Sequence, residues 1–478
     1  AWSFAALAER AARFAGLLAA SGIQEEQRVV LCLHDGIDFP AAFLGAMQHG
    51  AVPIPINTRL TAAEKRYILR DSRARALVVS AELWEELSAV LPQAPDLRHV
   101  WIEGGEGERA LDPALQAATP AQGFASTRRG DMAFWLYSSG TTGTPKGVVH
   151  AHAHLVATAE TYADHVLGLG PDDVVFSAAK LFFAYGLGNG LTFPFAAGAT
   201  CVLLRGSPSP GAIASILRDH RPTVFFGVPT LYGMLLAHEE LLPNARDLAL
   251  RHCVSAGEAL PPALYERWLA RTGVEILDGI GSTEALHIFL SNRAGQVRPG
   301  STGTPVPGYT LRLLDDDGLP VPDGTLGQLE VQGPSTAMAY WNRRERTKDT
   351  FRGWWMRTGD AYVRNDDGTY TYGGRGDDMM KVGGIWVSPF EVESCLLEHD
   401  AVLECAVVER SDHDGLVKPC AHVVLRAGHA GDQALEEALI TWVRDRMAPY
   451  KRPRWVVFAR ELPKTATGKI RRFQLREG

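Results

Sequence analysis

The chain has 478 residues, 46% of them hydrophobic and 22% charged, and its 48 Lys and Arg against 55 Asp and Glu give a net charge of −7. At about 150 residues per domain this length gives a prior of about three domains with ample apolar material for cores, and the composition argues against collagen, a coiled coil or a disordered tail. A mildly acidic chain has no global pull toward nucleic acid or an anionic bilayer, so any anion must be held by a local cluster.

Residue 1 is alanine inside an amphipathic pattern (Phe4, Leu7, Ala11, Phe14, Leu18), so the natural N-terminus is expected upstream. The six cysteines (Cys32, Cys201, Cys253, Cys395, Cys405, Cys420) are scattered with no C-x-x-C pair, which predicts free thiols and a reducing, cytoplasmic setting. Short apolar runs predict strands at 28–33, 76–79, 134–137, 174–177, 200–204, 223–227, 252–255 and 274–277. Helical periodicity fills much of the space between, for example 212–219 and 262–270, a pattern of α/β layers with largely parallel, buried sheets. Residues 181–204 carry no charge and are long enough to span a bilayer, but Gly186, Gly188, Gly190, Pro194 and Gly198 interrupt them. A buried helix followed by a buried strand is the better reading, with no membrane insertion.

From about 299 to 372, Asp-Gly turns (Asp317-Gly318, Asp323-Gly324, Asp367-Gly368) separate short strands at 311–314 and 328–331, a small β subdomain. A second change of texture follows Gly373-Gly374-Arg375-Gly376-Asp377-Asp378. Ser388-Pro389-Phe390-Glu391 then reads as a helix start, with Ser as N-cap, Pro at the first position and Glu three beyond the cap. A further helix at 433–446 and strand at 455–458 complete a separate α+β domain. The predicted architecture is therefore α/β: a large N-terminal domain (1–376) of layered subdomains and a smaller C-terminal domain (377–478).

Tyr137-Ser138-Ser139-Gly140-Thr141-Thr142-Gly143-Thr144-Pro145-Lys146-Gly147 carries the densest chemistry. Its glycines let backbone N–H groups crowd an anion, the Ser and Thr hydroxyls can donate, and Lys146 adds a point charge, the parts of a phosphate cradle between a strand and a helix-like segment. Pro145 stands where a Walker A loop needs glycine, so it is not that motif. An ordinary Gly-rich turn is the alternative.

At this string the chain resembles the adenylate-forming superfamily of acyl- and aryl-CoA ligases, adenylation domains and luciferases. Ser255-Ala256-Gly257-Glu258-Ala259, Asp278-Gly279-Ile280-Gly281-Ser282-Thr283-Glu284, Thr358-Gly359-Asp360, Gly374-Arg375-Gly376-Asp377 and Pro463-Lys464-Thr465-Ala466-Thr467-Gly468-Lys469 extend the resemblance, in the family's order, to the chain's end. The resemblance implies ATP, Mg²⁺ and coenzyme A as cosubstrates and cofactor, activation of a carboxylate as its adenylate, and a mobile C-terminal domain. It implies that Ser138, Ser139, Gly140, Thr141, Thr142, Gly143 and Lys146 hold the β- and γ-phosphates. By the same token Glu284 would bind Mg²⁺ and Thr283 the α-phosphate; Asp360 and Arg375 would take the ribose. Gly257, Glu258, Ala259, Asp278 and Gly279 would surround the adenine. Taken singly, Glu284 reads as a helix cap, Asp360 as a turn residue and Lys469 as part of a solvated basic tail with Lys464, Arg471 and Arg472. The family makes Lys469 the adenylation lysine, its flexible ammonium able to follow moving charge. It also makes Asp377 the hinge and places Gly383 and Gly384 on a pantetheine tunnel, with Tyr450, Lys451, Arg452 and Arg454 at the nucleotide end of coenzyme A; a solvated basic face is the other reading of that last group.

Residues 177–189 and 281–292 look like the benzoate-CoA ligase branch, which implies an aryl pocket of Ala184, Tyr185, Ala256, Gly281, His287 and Ile288, a flat slot too short for a fatty chain. Phe182 reads as core. His287 is either a satisfied core histidine or a partner for a ring substituent, so benzoate, hydroxybenzoates and 2-aminobenzoate (anthranilate) all stay open. His150-x-His152-x-His154 has the period of a metal pair on a strand, but helical geometry after the loop would splay the three rings. The expectation is an aryl-CoA ligase acting on small molecules as a monomer or homodimer. The alternatives are a stand-alone aryl-acid adenylation enzyme loading a carrier protein, and a silent, ligand-binding relative.

Overall fold

The computed structural model describes residues 1–138, 145–375, 378–382, 385–413, 416–464 and 470–476. It is mixed α/β, with a large N-terminal domain and a smaller C-terminal one. Among the described residues, the strands Val52–Pro55, Arg28–Cys32, Ala76–Ser80 and His99–Glu103 form a parallel four-stranded sheet, in that order. A second, seven-stranded sheet runs Thr304–Pro305, Ile288–Ser291, Ile276–Gly281, His252–Ser255, Val224–Gly227, Val174–Ser177, Thr200–Val202. Its last five strands are parallel, and the first two close one edge antiparallel.

The apolar runs behave as buried parallel strands should: Val224–Gly227 is buried at every position, and His252–Ser255 at all but its first. The charge-free stretch is helical from Ala184 to Ala197, with a widened π turn at Gly188–Thr192, and ends on Gly198 in the left-handed conformation. The strand after it, expected to be buried, is the shorter Thr200–Val202 at the sheet edge, with Thr200 exposed. Among the described residues no helix is long and apolar enough to cross a membrane.

Antiparallel strands Thr310–Leu314, Leu326–Gln332, Trp355–Arg364, Phe351–Arg352 and Tyr370–Arg375 build the β subdomain. In the C-terminal domain, helices Pro389–Leu397 and Gln433–Arg446 pack with the sheet of Val402–Ser411, Val417–Leu425 and Trp455–Ala459. Ser388 caps the first of these helices, its Oγ accepting from Glu391 N at 3.3 Å. All six cysteines are free thiols.

One ion pair ties the parallel sheet together at its base. Asp173, 8% exposed, accepts from Arg251 Nε (2.8 Å) and Nη2 (2.7 Å), Thr223 Oγ1 (2.6 Å) and Gly170 N (2.9 Å). Burial alone would raise its pKa, but these donors outweigh it and hold the carboxyl at about 2. Because the folded value lies below the unfolded one, the contribution is full above about pH 4 and fades as pH falls toward 2. Asp173→Ala is expected to cost about 2 kcal/mol at pH 7. Calorimetric unfolding of both proteins checks this: the gap between them should shrink by about half at pH 3, and a gap that does not change with pH would contradict the assignment.

Candidate active site

Strands Met132–Ser138 and Lys146–Ala151 pair antiparallel, with Ser138 opposite Lys146, so the anion-loop sequence joins two neighbouring strands. Ser139, Gly140, Thr141, Thr142, Gly143 and Thr144 lie outside the described residues. A helix was expected directly after the loop; a strand follows instead, and the helix begins only at His152. Val148 and His150 are buried on one face of that strand and Val149 and Ala151 on the other, which a helical reading of the segment misses.

Lys146 reaches Glu284 and Tyr340. Its Nζ lies 3.0 Å from Glu284 Oε1, 2.8 Å from the Tyr340 hydroxyl and 4.0 Å from the centre of the Tyr340 ring. Glu284 sits on the short 3₁₀ turn Thr283–Ala285, capped by Ser282 Oγ accepting from Ala285 N. Burial would push its carboxyl up, but the Lys146 charge and hydrogen bonds from Tyr340 and Lys146 prevail and hold it below the usual range. Behind this turn, His150 Nε2 donates to Thr283 O at 2.8 Å, and His150 Nδ1 meets His154 Nδ1 at 3.0 Å. The expected splaying of the histidines therefore fails: one is on a strand and one on a helix, and they face each other. Burial pushes His150 down to about 3 and His154 to about 4, so both are neutral at pH 7. Among the described residues no group of three metal-ligating side chains forms.

The C-terminal ends of the parallel strands gather the next set, the position where open α/β sheets bind ligands. Ser255 lies in register with Gly227 on one side and Asp278 on the other. Asp278 Oδ1 and Ser255 Oγ are buried with no partner among the described residues, and burial drives the Asp278 carboxyl well above its ordinary pKa. Such an orphaned acceptor asks for a donor from outside the chain. Gly257 turns the chain away with φ +93°, and Glu258 accepts from Thr230 Oγ1 at 2.9 Å. In the β subdomain, Asp360 and Arg375 are a cross-strand pair with Nη1 to Oδ1 at 3.1 Å.

Of the six residues expected to line a slot, Tyr185, Ala256, Gly281, His287 and Ile288 are neighbours, while Ala184 belongs to a different buried cluster. Tyr185 donates to Gly227 O (3.2 Å) and Val254 O (3.3 Å), and its ring lies 5.6 Å from that of His287. His287, 2% exposed, is also packed by Phe193 (4.4 Å) and Tyr162 (5.2 Å). Its Nε2 lies 2.9 Å from Asn189 Oδ1, while Nδ1 has no hydrogen-bond partner among the described residues; burial lowers its pKa to about 3. Gly281 pairs with Ile288, and Ala256 and Ile288 belong to one buried cluster against which Tyr185 packs. Phe182 is core, as read, while Ala184 begins the helix. The segment entering that helix is pinned by Lys180, which donates to Leu204 O and to Gly206 O (2.6 Å) and pairs with buried Asp35 at 3.7 Å. Sequence reasoning missed Asn189 and Tyr340 as site members. Asn189 stands within the quoted aryl segment, whereas no local signal marks Tyr340.

In the C-terminal domain Asp377, Gly383, Gly384 and Lys469 lie outside the described residues. Tyr450, Lys451, Arg452 and Arg454 occupy a 3₁₀ turn and the loop after it, Lys451 pairing with Glu391 while Tyr450 and Arg454 are exposed. The basic tail is not simply solvated: Lys464 pairs with Glu404 (2.8 Å), and Arg472 grips Glu393 at both oxygens (2.8 Å each).

Residues 1–341 match the AMP-binding enzyme family and 391–469 the AMP-binding enzyme C-terminal domain. The chain is 55% identical over 456 residues to a benzoate–CoA ligase of Thauera aromatica, covering 95% of this chain and 86% of that protein. It superposes on a benzoate CoA ligase from Burkholderia xenovorans LB400 with TM-score 0.93 at 51% identity, covering 99% and 94% of the two chains. It also superposes on the anthranilate CoA ligase AuaEII, solved with anthranoyl-AMP, with TM-score 0.94 at 42% identity, covering 99% and 91%.

Proposed function

This chain belongs to the AMP-binding enzyme family and is an AMP-forming aryl-CoA ligase, and we propose that benzoate is its preferred acid. Ligases of this class use ATP, Mg²⁺ and coenzyme A. The observation that supports benzoate is the 55% identity to a benzoate–CoA ligase, together with the aromatic packing of Tyr185, Phe193 and Tyr162 round His287; the buried His287 Nδ1, unpartnered among the described residues, is the atom a substituted ring would have to meet.

In this reading the slot holds the carboxylate in line with the α-phosphorus of ATP, where positioning of two anions is the main task. The carboxylate oxygen attacks phosphorus and pyrophosphate leaves; the coenzyme A sulfur then attacks the acyl carbon and AMP leaves. Ser138, Ser139, Gly140, Thr141, Thr142, Gly143 and Lys146 steady the departing phosphates and Thr283 the α-phosphate. The orphaned Asp278 oxygen accepts from the adenine amino group, beside Gly257, Glu258, Ala259 and Gly279, and Asp360 accepts from the ribose hydroxyls with Arg375 beside it. Glu284, kept anionic by Lys146, offers the hard oxygen that Mg²⁺ takes. When bound, Mg²⁺ neutralises charge on the phosphate oxygens. Lys469 supplies a cation at the reacting oxygens, and the domain beyond a hinge at Asp377 then turns to present Gly383 and Gly384 to the pantetheine arm. Tyr450, Lys451, Arg452 and Arg454 meet the nucleotide end of coenzyme A.

The test is an assay of pyrophosphate release and thioester formation with benzoate, the three hydroxybenzoates and 2-aminobenzoate, offering coenzyme A or a holo carrier protein. Benzoate should give the highest kcat/KM, with coenzyme A as acceptor. Preference for a substituted ring or for the carrier protein would overturn the reading.

A further inference from the structure

Tyr340 lies 194 positions from Lys146 in sequence, yet its hydroxyl completes a triangle with Lys146 and Glu284. Lysine ammonium only donates and a carboxylate only accepts, so the phenol oxygen must accept from Lys146 Nζ (2.8 Å) and its proton must go to Glu284 Oε1 (2.7 Å). Lys146 itself lies 3.0 Å from the same Oε1, so both contacts fall on one carboxylate oxygen. The tyrosine is firmly placed. It is 3% exposed, its strand Ala339–Tyr340 pairs with Lys146–Ala151, its backbone N donates to Thr347 Oγ1 at 3.0 Å, and its ring packs on Phe351 at 5.4 Å. The same segment also holds the backbone of the acidic turn, Ala337 N donating to Glu284 O at 2.7 Å.

We infer that Tyr340 is a positioning residue of the phosphate-and-metal centre, holding Glu284 through Oε1 whether or not Lys146 is engaged by phosphate. This rests on the roles proposed above for Lys146 and Glu284. A lysine shared between a carboxylate and incoming phosphates must loosen its hold on the first to serve the second. A buried carboxylate left with no donor is costly, and a neutral hydroxyl that does not leave keeps Oε1 satisfied throughout. Glu284 Oε2 stays outside the triangle, so the orientation fixed by Tyr340 also sets where the second oxygen stands.

Tyr340→Phe removes only the hydroxyl and keeps the ring packing. Calorimetric titration with ATP, without any aryl acid, should show binding about tenfold weaker than wild type in the presence of Mg²⁺ and little changed in EDTA, as expected for one charge-assisted hydrogen bond. The half-reactions should split likewise: pyrophosphate release slows about tenfold or more, while thioester formation from supplied benzoyl-AMP stays within twofold. Unchanged Mg²⁺-dependent binding would overturn the inference, and so would equal loss in both half-reactions, which reports general loosening. The titration needs no aryl acid. If wild-type protein binds Mg²⁺ and ATP but activates none of the benzoates, the substrate reading has failed and the Tyr340 comparison still decides this one.

Discussion

Lys469→Ala should slow pyrophosphate release by about 10²–10³-fold, the scale of losing one donor to a transition state, and leave thioester formation from supplied benzoyl-AMP nearly intact. In adenylation, negative charge moves from the α-phosphate toward the leaving pyrophosphate while a second anion approaches. An ammonium beside the reacting oxygens, the role proposed for Lys469, would lower that barrier more than it lowers the energy of the bound reactants. In the thioester step the nucleophile is sulfur and the leaving group is AMP, already bound through its base and ribose, so the same cation has no comparable task. Single-turnover assays of the two half-reactions separate these cases. Equal loss in both would remove the assigned role. Two of the tail's other cations are already engaged, Lys464 with Glu404 and Arg472 with Glu393.

Asp360→Ala should raise the KM for ATP by about 10²-fold, because two hydrogen bonds from ribose hydroxyls to a carboxylate would be lost at about 1.5–3 kcal/mol each, with part of that recovered by water. The KM for the aryl acid should change much less. Asp360 is 7% exposed and lies opposite Arg375 in the strand register, so the variant also removes one partner of that guanidinium. Asp360→Asn, which keeps the shape and part of the hydrogen bonding, should fall between wild type and alanine. Parallel rises in both KM values would point to disruption of the β subdomain, and a result confined to the aryl acid would refute a ribose contact.

The elements most legible in the sequence are those whose local signals agree. The strands Val174–Ser177 and His252–Ser255 and the helix Gln433–Arg446 coincide with their predicted spans, because apolar runs of the right period end at polar or capping residues. The neighbourhood of Tyr185 and His287 is legible for another reason: both stand in motifs of the family, and the fold brings their rings to 5.6 Å. What stays hidden depends on contacts between distant segments. Lys146–Ala151 is a strand because Met132–Ser138 and Ala339–Tyr340 flank it, and a two-residue partner strand has no periodicity to detect. Tyr340 therefore looks like any aromatic near a turn until the ladder sets it against Lys146. The π turn at Gly188–Thr192 is equally silent in sequence, although a side chain at Gly188 would overlap the His287 ring.

The pairing of Ser138 with Lys146 has a mechanical consequence. In nucleotide-binding loops that open directly into a helix, the helix lends its dipole to the anion, and reshaping the loop disturbs the helix beneath. Here the strand Lys146–Ala151, not a helix, follows the loop sequence, so in the proposed role no helix dipole would back the phosphates and attraction would come from the loop's own amides, its hydroxyls and Lys146. The ladder is also held from its other edge by Ala339–Tyr340, so substitutions in the loop sequence are expected to leave the strands in place.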